Sequence, residues 1–268
     1  ILKNAAIYPG LMGKGFNSKY HSLQVEAKKD FSNGLNFLAA FTWGHAMAES
    51  SNNEFNDNII NDSVLAGNIV RRRYSNADFD FRRRFVVSGG YELPWGRGKV
   101  FGADWNAATN AILGGWQVNW IYTLSRGYPY TVWSSYGSYP DRVCDGNLPS
   151  SERNPNRWFD YTCFVPHKPT PVTLPDGTTR LTNINGNANP NIIVGPGINN
   201  LDLGIQKNFG VNRISEDARV QLRVETFNTL NHPNFVGPSQ IFYTNPSGAQ
   251  LGVARDSRDI QLALKILF

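Results

Sequence analysis

Asp78, Asp80, Arg82 and Arg84 occupy alternate positions in the run Asp78-Phe79-Asp80-Phe81-Arg82-Arg83-Arg84. On an extended chain that spacing sets all four charged side chains on one face. Carboxylates two residues apart could hold calcium or pair with the neighbouring arginines. Calcium takes about six to eight oxygen ligands, more than this stretch offers, so the spacing favours a charge network. Arg223 and Glu225 form a second alternating pair of opposite sign.

The remaining chemistry-bearing residues are sparse. Cys144 and Cys163 are the only cysteines and fall within one long connection. An even count fits an oxidising compartment, where a disulfide between them would close a loop of about 20 residues and stabilise it by roughly 3 kcal/mol in the chain-entropy model. Two independent thiols are the alternative. His21, His45, His167 and His232 are isolated and show no metal-ligand spacing. No nucleophile elbow, phosphate loop or paired-carboxylate signature is present, so the sequence predicts neither enzymatic activity nor a cofactor. Trp133, Tyr136, Tyr139 and Tyr161 could stack on a saccharide or other flat ligand, or on one another. The Asn- and Gly-rich stretches 50–62 and 183–200 could contact a ligand or simply solvate long turns.

Elements that position these residues follow from composition and periodicity. The 268 residues carry 18% charged and 13% aromatic residues, with seven Trp and a net charge of +5. Soluble domains average about 25% charged. The basic clusters Arg71-Arg72-Arg73 and Arg82-Arg83-Arg84 lack any nucleic-acid module around them, so no nucleic-acid partner is expected. No run reaches the roughly 18 apolar residues of a transmembrane helix, which leaves a β-barrel open. The start at Ile1, without Met or a signal peptide, favours a fragment of something longer.

Seven segments alternate apolar and polar residues with the period of a strand. In the first, Leu23, Val25, Ala27 and Phe31 oppose Ser22, Gln24, Glu26 and Lys28; the turn Ser32-Asn33-Gly34 leads into Leu35, Phe37, Ala39, Phe41 and Trp43. The third aligns Phe85, Val87, Gly89, Tyr91 and Leu93, and the fourth Trp116, Val118, Trp120, Tyr122 and Leu124. The fifth has Leu201, Leu203, Ile205 and Phe209, and the sixth Val220, Leu222 and Val224. The last has Ile260, Leu262, Leu264, Ile266 and Phe268, an apolar face closing on a terminal aromatic. Such an ending resembles the C-terminal signal read by the outer-membrane assembly machinery.

Connections alternate between short and long. Those near 32–34, 94–113 and 210–218 are short or medium, and those near 48–83, 127–199 and 231–255 are long. Long structureless loops are unusual in compact soluble domains, whereas outer-membrane barrels combine short periplasmic turns with long outer loops. A sandwich would give the same alternation of faces. Aromatic residues near strand ends (Phe31, Trp43, Tyr91, Trp95, Trp116, Tyr122 and Phe209) favour the membrane girdles of a barrel. In that setting Asp78, Asp80, Arg82, Arg84, Arg223 and Glu225 would form a lumen charge network.

Specific motifs sharpen the assignment. The run from Asp78 to Phe85 with Tyr91-Glu92-Leu93-Pro94-Trp95-Gly96-Arg97-Gly98-Lys99 resembles Oar-like TonB-dependent receptors. So do Asn156-Arg157-Trp158-Phe159-Asp160 with Cys163-Phe164, and Gly195-Pro196-Gly197 leading into Asn200-Leu201-Asp202. The stretch Leu222-Arg223-Val224-Glu225-Thr226-Phe227-Asn228-Thr229-Leu230-Asn231-His232-Pro233-Asn234-Phe235 is the longest and most specific. Family members usually carry His where this chain has Arg83. The resemblance implies an antiparallel up-and-down barrel, usually of 22 strands, plugged by an N-terminal domain and energised by TonB.

Residues 1–268 thus read as one partial, all-β barrel domain, the C-terminal third of such a receptor in a Gram-negative-type outer membrane. Plug and earlier strands are not in it. Expected partners are outer-membrane lipid, the barrel assembly machinery, the TonB system through the plug, and a small-molecule or peptide substrate. A surface adhesin built on a barrel or sandwich is the alternative, and a soluble carbohydrate-active enzyme a distant third.

Overall fold

The computed structural model describes residues 17–48, 74–134, 139–173, 175–182, 185–210, 218–237, 241–242 and 249–267. Seven long strands dominate: β1 (Ser18–Ser32), β2 (Leu35–Ala48), β3 (Arg83–Glu92), β4 (Trp116–Ser125), β5 (Ile198–Gly210), β6 (Arg219–Phe227) and β7 (Asp259–Leu267). Each pairs antiparallel with its neighbours in sequence, giving one meander from β1 to β7, with the two-residue strand Ser75–Asn76 added against β2. This is the all-β, up-and-down sheet that the alternation predicts. A transmembrane strand needs about 9–11 residues. At 15, 14 and 13 residues, β1, β2 and β5 are longer than a bilayer requires and extend beyond it.

Register carries one face across the whole sheet. Phe37 pairs with Gly89, Gly89 with Trp120, Trp120 with Leu203, Leu203 with Thr226, and Thr226 with Ile260. The adjacent row runs Leu35, Tyr91, Val118, Ile205, Val224, Leu262 by the same pairings. Directly opposed residues share a face, so these rows carry one largely apolar face from β2 to β7, and β1 continues it with Ala27, Val25 and Leu23 beside Ala39, Phe41 and Trp43. On β7, Ile260, Leu262, Leu264 and Ile266 are 64%, 72%, 68% and 61% exposed. A soluble sheet would cover such a face; here nothing among the described residues does. Phe268 lies outside the described residues.

Three local features explain departures from simple alternation. Register shifts between Lys29 and Ser32, so Ser32 pairs with Leu35 while Phe31 lines the inner end of the lumen trough. Strict alternation assigns Phe31 to the lipid face; one extra residue in the strand redirects it. Second, Lys207 falls inside the apolar row, paired with Trp116 and Leu222. Its ammonium donates to Ile112 O (3.0 Å) and to Gly114 O, and it lies 5.1 Å from the centroids of both Trp116 and Phe209. Those carbonyls end the short helix α1 (Ala107–Leu113), N-capped by Asn106, so the cation meets the negative end of the helix. Third, Trp120 lies across Gly89, where a Cβ would come 2.6 Å from the indole.

The connections at one end are short or medium, the β3–β4 one holding α1. Asn33 (φ 53°) and Gly34 (φ 78°) both adopt the left-handed conformation that a two-residue hairpin requires. At the opposite end, the connections 49–82, 126–197 and 228–258 are long, and the second contains its own core. Val132, Phe159, Cys163, Phe164 and Ile193 are buried there with Tyr139, Ala188 and Ala249. The stretches expected to be structureless carry short paired strands, among them Asp141–Arg142 with Phe164–Val165 and Pro129–Tyr130 with Ile193–Val194. Cys144 and Cys163 are joined in a disulfide with Cα atoms 4.9 Å apart.

In the intact protein, Arg at Leu203 or Ile260, in the row of Trp120 midway along the sheet, should lower folding stability in lipid vesicles by ~2–4 kcal/mol, the cost of a cation near the bilayer midplane. Arg at Gln221 or Gln261, on the opposite face, should leave stability nearly unchanged. Equal losses on the two faces would mean that both are packed.

Candidate functional site: lumen wall and outer mouth

Polar side chains line the face opposite the apolar one. Across it, Asn36, Gly90, Asn119, Gly204, Glu225 and Gln261 form one register row, and Glu92, Gln117, Gln206 and Arg223 the next. Gln206 Nε2 donates to Gln117 Oε1 (2.7 Å), and Gln117 Nε2 donates to Asn119 Oδ1 (3.2 Å). Arg223 pairs with Glu225 at 3.2 Å. Gly90 leaves room between two amides: a Cβ there would come 2.8 Å from Asn119 Oδ1 and 3.0 Å from Asn36 Oδ1. The result is a trough of about 610 Å³ whose lining includes Lys28, Asp30, Asp202, Arg223 and Glu225. Charges of both signs and a ladder of amides suit polar ligands. Among the described residues no cluster of His, Cys, Asp or Glu could hold a metal ion.

The outer mouth is organised around Asp80, only 3% exposed. Its Oδ1 accepts from the Ala46 N–H (2.7 Å) and its Oδ2 from Arg82 Nε (2.5 Å). Arg82 Nη2 then donates to His45 Nε2 (2.7 Å) and Asn76 Oδ1 (2.8 Å). His45 Nε2 also lies 3.2 Å from Asn76 Oδ1. Asn76 continues the chain to the far side of the mouth: its Nδ2 donates to Asn191 O (2.8 Å), and Asn191 Nδ2 donates to Asn76 O (2.9 Å) and to an Asp78 oxygen. Asn191 sits at φ 58°, a conformation Asn tolerates better than most residues. Thr131 Oγ1 accepts from Asn191 N and donates to Asn191 Oδ1, each at 3.0 Å. A recess of about 160 Å³ opens beside this clamp, lined by Asn76, Asp80, Arg82, Arg126, Gly127, Pro129 and Val194.

The six residues expected to share one charge network divide. Asp80 and Arg82 meet at the mouth, Asp78 bonds Asn191, and Arg223 and Glu225 pair on the wall of the trough. Arg84 lies on the lumen face opposite Thr42 and Ser125 and makes no ion pair among the described residues. Three register rows on the lumen face, those of Val86, Ser88 and Gly90, lie between Arg84 and Arg223, so strand geometry keeps the two groups apart. The aromatic residues considered for ligand stacking are used in packing: Trp133 stacks on Tyr139 at 5.0 Å, and Tyr161 packs against the buried cluster. Tyr136 lies outside the described residues, as do the whole of 50–62 and part of 183–200.

Asparagines missed by the search for chemistry hold the remaining outer connection. Asn228 (φ 48°) donates its N–H to Asp202 Oδ1 (2.8 Å) and its Nδ2 to His232 O (3.0 Å), and accepts from the His232 N–H (3.0 Å). Asn234 Oδ1 accepts from Asn199 N (2.8 Å), and Asn231 Oδ1 from Arg258 N (3.1 Å). These side chains take the place of ladder partners where β6 ends, tying the connection back to β5 and to the start of β7. Their signal was in the sequence, as Asn repeated at turn positions around His232-Pro233.

In the outer lobe, burial pushes the Asp141 carboxyl up. Hydrogen bonds from His167 (2.9 Å) and the Asn187 N–H (3.0 Å) outweigh it and hold the group below the usual range. Asp160 is lowered by the Thr162 hydroxyl (2.6 Å) against a smaller effect of burial, with help from the Thr162 N–H (3.1 Å).

An antiparallel sheet with a lipid-ready face, a wet polar face, short turns at one end and folded loops at the other defines the wall of an outer-membrane β-barrel. The chain belongs to the family described as outer membrane beta barrel domain, whose model matches residues 10–261. That membership places it in the outer membrane of a Gram-negative bacterium. No match was found among curated proteins or among solved structures.

Replacing Asp80 with Ala strands the Ala46 N–H and removes the carboxylate partner of Arg82 Nε. It should cost about 2 kcal/mol, within the range for leaving a buried donor unsatisfied, with the Arg82 contribution reduced by its partial exposure. Limited proteolysis at 74–82 should show the opening; Phe79→Ala, at an exposed neighbour, should not. Acid acts on the lobe. Because the folded Asp141 and Asp160 groups titrate below the unfolded value of 3.8, their stabilisation is complete above that pH and is lost as pH falls through the folded values. Trp158 fluorescence followed from pH 6 downward (roughly two units above that range) should report loosening that Asp141→Asn and Asp160→Asn flatten.

Proposed function

We propose that the chain forms part of the wall and outer loops of a TonB-dependent, Oar-like active transporter, with no enzymatic activity. The observation that carries this reading is the polar trough beneath a folded, disulfide-bridged outer lobe. A transporter needs a wet path and a structured entrance above it, and this chain supplies the sheet for the one and the lobe for the other. The two edges, β1 and β7, are not paired with each other. An open edge cannot persist in hydrocarbon, so further strands are required for closure, as in the large barrels of this receptor class. The motif from Leu222 to Phe235 supports the same class.

In this reading a small molecule or peptide passes the trough, and the TonB system acts through a plug elsewhere in the whole protein. Ile260, Leu262, Leu264, Ile266 and Phe268 present the strand that the assembly machinery recognises, and the apolar face meets outer-membrane lipid. Disrupting the gene and disrupting TonB in the same host should abolish depletion of the same solute from the medium. Loss of surface attachment in the gene mutant, with solute depletion intact and no dependence on TonB, would replace the transporter with an adhesin.

A further inference from the structure

We infer that Arg83 and Arg126 form a site on the outward face of the sheet for the phosphate of an outer-leaflet lipid headgroup. The Arg126 N–H donates to Arg83 O at 2.9 Å, and the next pair inward is Arg84 with Ser125. Arg83 and Arg126 are therefore directly opposed on adjacent strands, with Cβ atoms at the ~5 Å typical of cross-strand neighbours. Arg83 shares the face of Trp43 by direct pairing, and Phe85 pairs with Leu124 one step inward. Alternation thus sets both side chains at the outer end of the apolar face, where Arg126 also borders the recess beside the clamp.

Like charges directly opposed across strands destabilise a sheet, and arginine cannot relieve this by losing its proton. Among the described residues nothing neutralises the pair, and Arg153 of the outer lobe adds a further cation within electrostatic reach of Arg126. Its row holds Leu23 and Trp43 on one flank, and the chain beyond Arg126 presents Gly197, which has no side chain. Both residues are exposed, and neither makes an ion pair with a carboxylate among the described residues.

Depth identifies the missing anion. Phe85 and Leu124 are apolar, and a two-residue step raises the arginines by about 6–7 Å, from acyl chains to headgroups. Trp43 and Tyr128, 43% and 44% exposed, supply the amphipathic rings found at that level. Two guanidinium forks match phosphate oxygens in geometry as well as charge. Acyl chains of the same lipid would lie over Phe85, Leu124 and Leu23.

The test uses the full-length protein reconstituted in phosphatidylcholine vesicles doped with diphosphoryl lipid A or with its dephosphorylated form. Lipid retained after mild detergent extraction is read by native mass spectrometry. Wild type should retain the phosphorylated lipid roughly 30-fold better, as expected for two cationic side chains near an anionic headgroup. Arg83→Gln with Arg126→Gln should abolish the preference, and Arg219→Gln on the lumen face should keep it. Equal retention of both lipids by wild type, or an undiminished preference in the double variant, would overturn the assignment. Displacement of the lipid by millimolar inorganic phosphate would also overturn it, by showing a site for soluble anions. If the double variant fails to assemble, the wild-type comparison and Arg126→Gln alone decide.

Discussion

Hydrocarbon offers no partner to a backbone N–H or C=O, and the rest of this structure depends on that constraint. It forces every spanning segment into continuous pairing, and pairing transmits the facing of one strand to the next. Once Phe37 faces lipid, register commits Gly89, Trp120, Leu203, Thr226 and Ile260 to the same side. A slip of one residue in β6 alone would drive Arg223 and Glu225 into the membrane and turn Val224 into the lumen. The sheet therefore tolerates irregularity only where the environment changes. Its bulge lies beside the inner turn, and Lys207 enters the apolar row only at the depth where α1 supplies carbonyls.

Above the membrane the governing physics changes. Water competes for every hydrogen bond there, and alternation no longer directs the fold. Order comes instead from side chains that substitute for backbone partners. Asp80 holds β2 through the Ala46 N–H, Asn76 and Asn191 exchange bonds across the mouth, and Asn228, Asn231 and Asn234 gather the last connection. The small apolar core around Val132, Phe159 and Ile193 gives the lobe a centre of its own.

How much of this could be read from the residues follows the same division. All seven strands and nearly all of their facings were legible, because a two-sided environment writes a period of two into the sequence. Phe31 was misassigned because a bulge adds one residue without changing composition. The clamp was half legible. Asp80 and Arg82 are neighbours in sequence, but Asn76 and Asn191 are separated by 115 positions, and nothing local links two asparagines so far apart. The grouping of Arg84 with Arg223 failed because chemical type was visible while height along the strands was not. Short strands inside the outer lobe escaped notice because each is only a few residues long.

The junction between β4 and β5 differs from the other neighbouring pairs. The β1–β2 hairpin closes over Asn33 and Gly34, whereas β5 reaches β4 only after the chain has traversed 126–197. The entropy lost in bringing two chain ends together rises with the logarithm of the intervening length, by about 0.6 kcal/mol per doubling. A tether of that span, left as coil, is a modest thermodynamic burden but a long search. The disulfide at Cys144 and Cys163, the pairing of Asp141–Arg142 with Phe164–Val165 and that of Pro129–Tyr130 with Ile193–Val194 shorten it from within. Once these cross-links have formed, Ser125 and Ile198 are separated by a folded body whose ends already lie side by side. The lobe then acts as a clasp that lowers the contact order of the sheet beneath it.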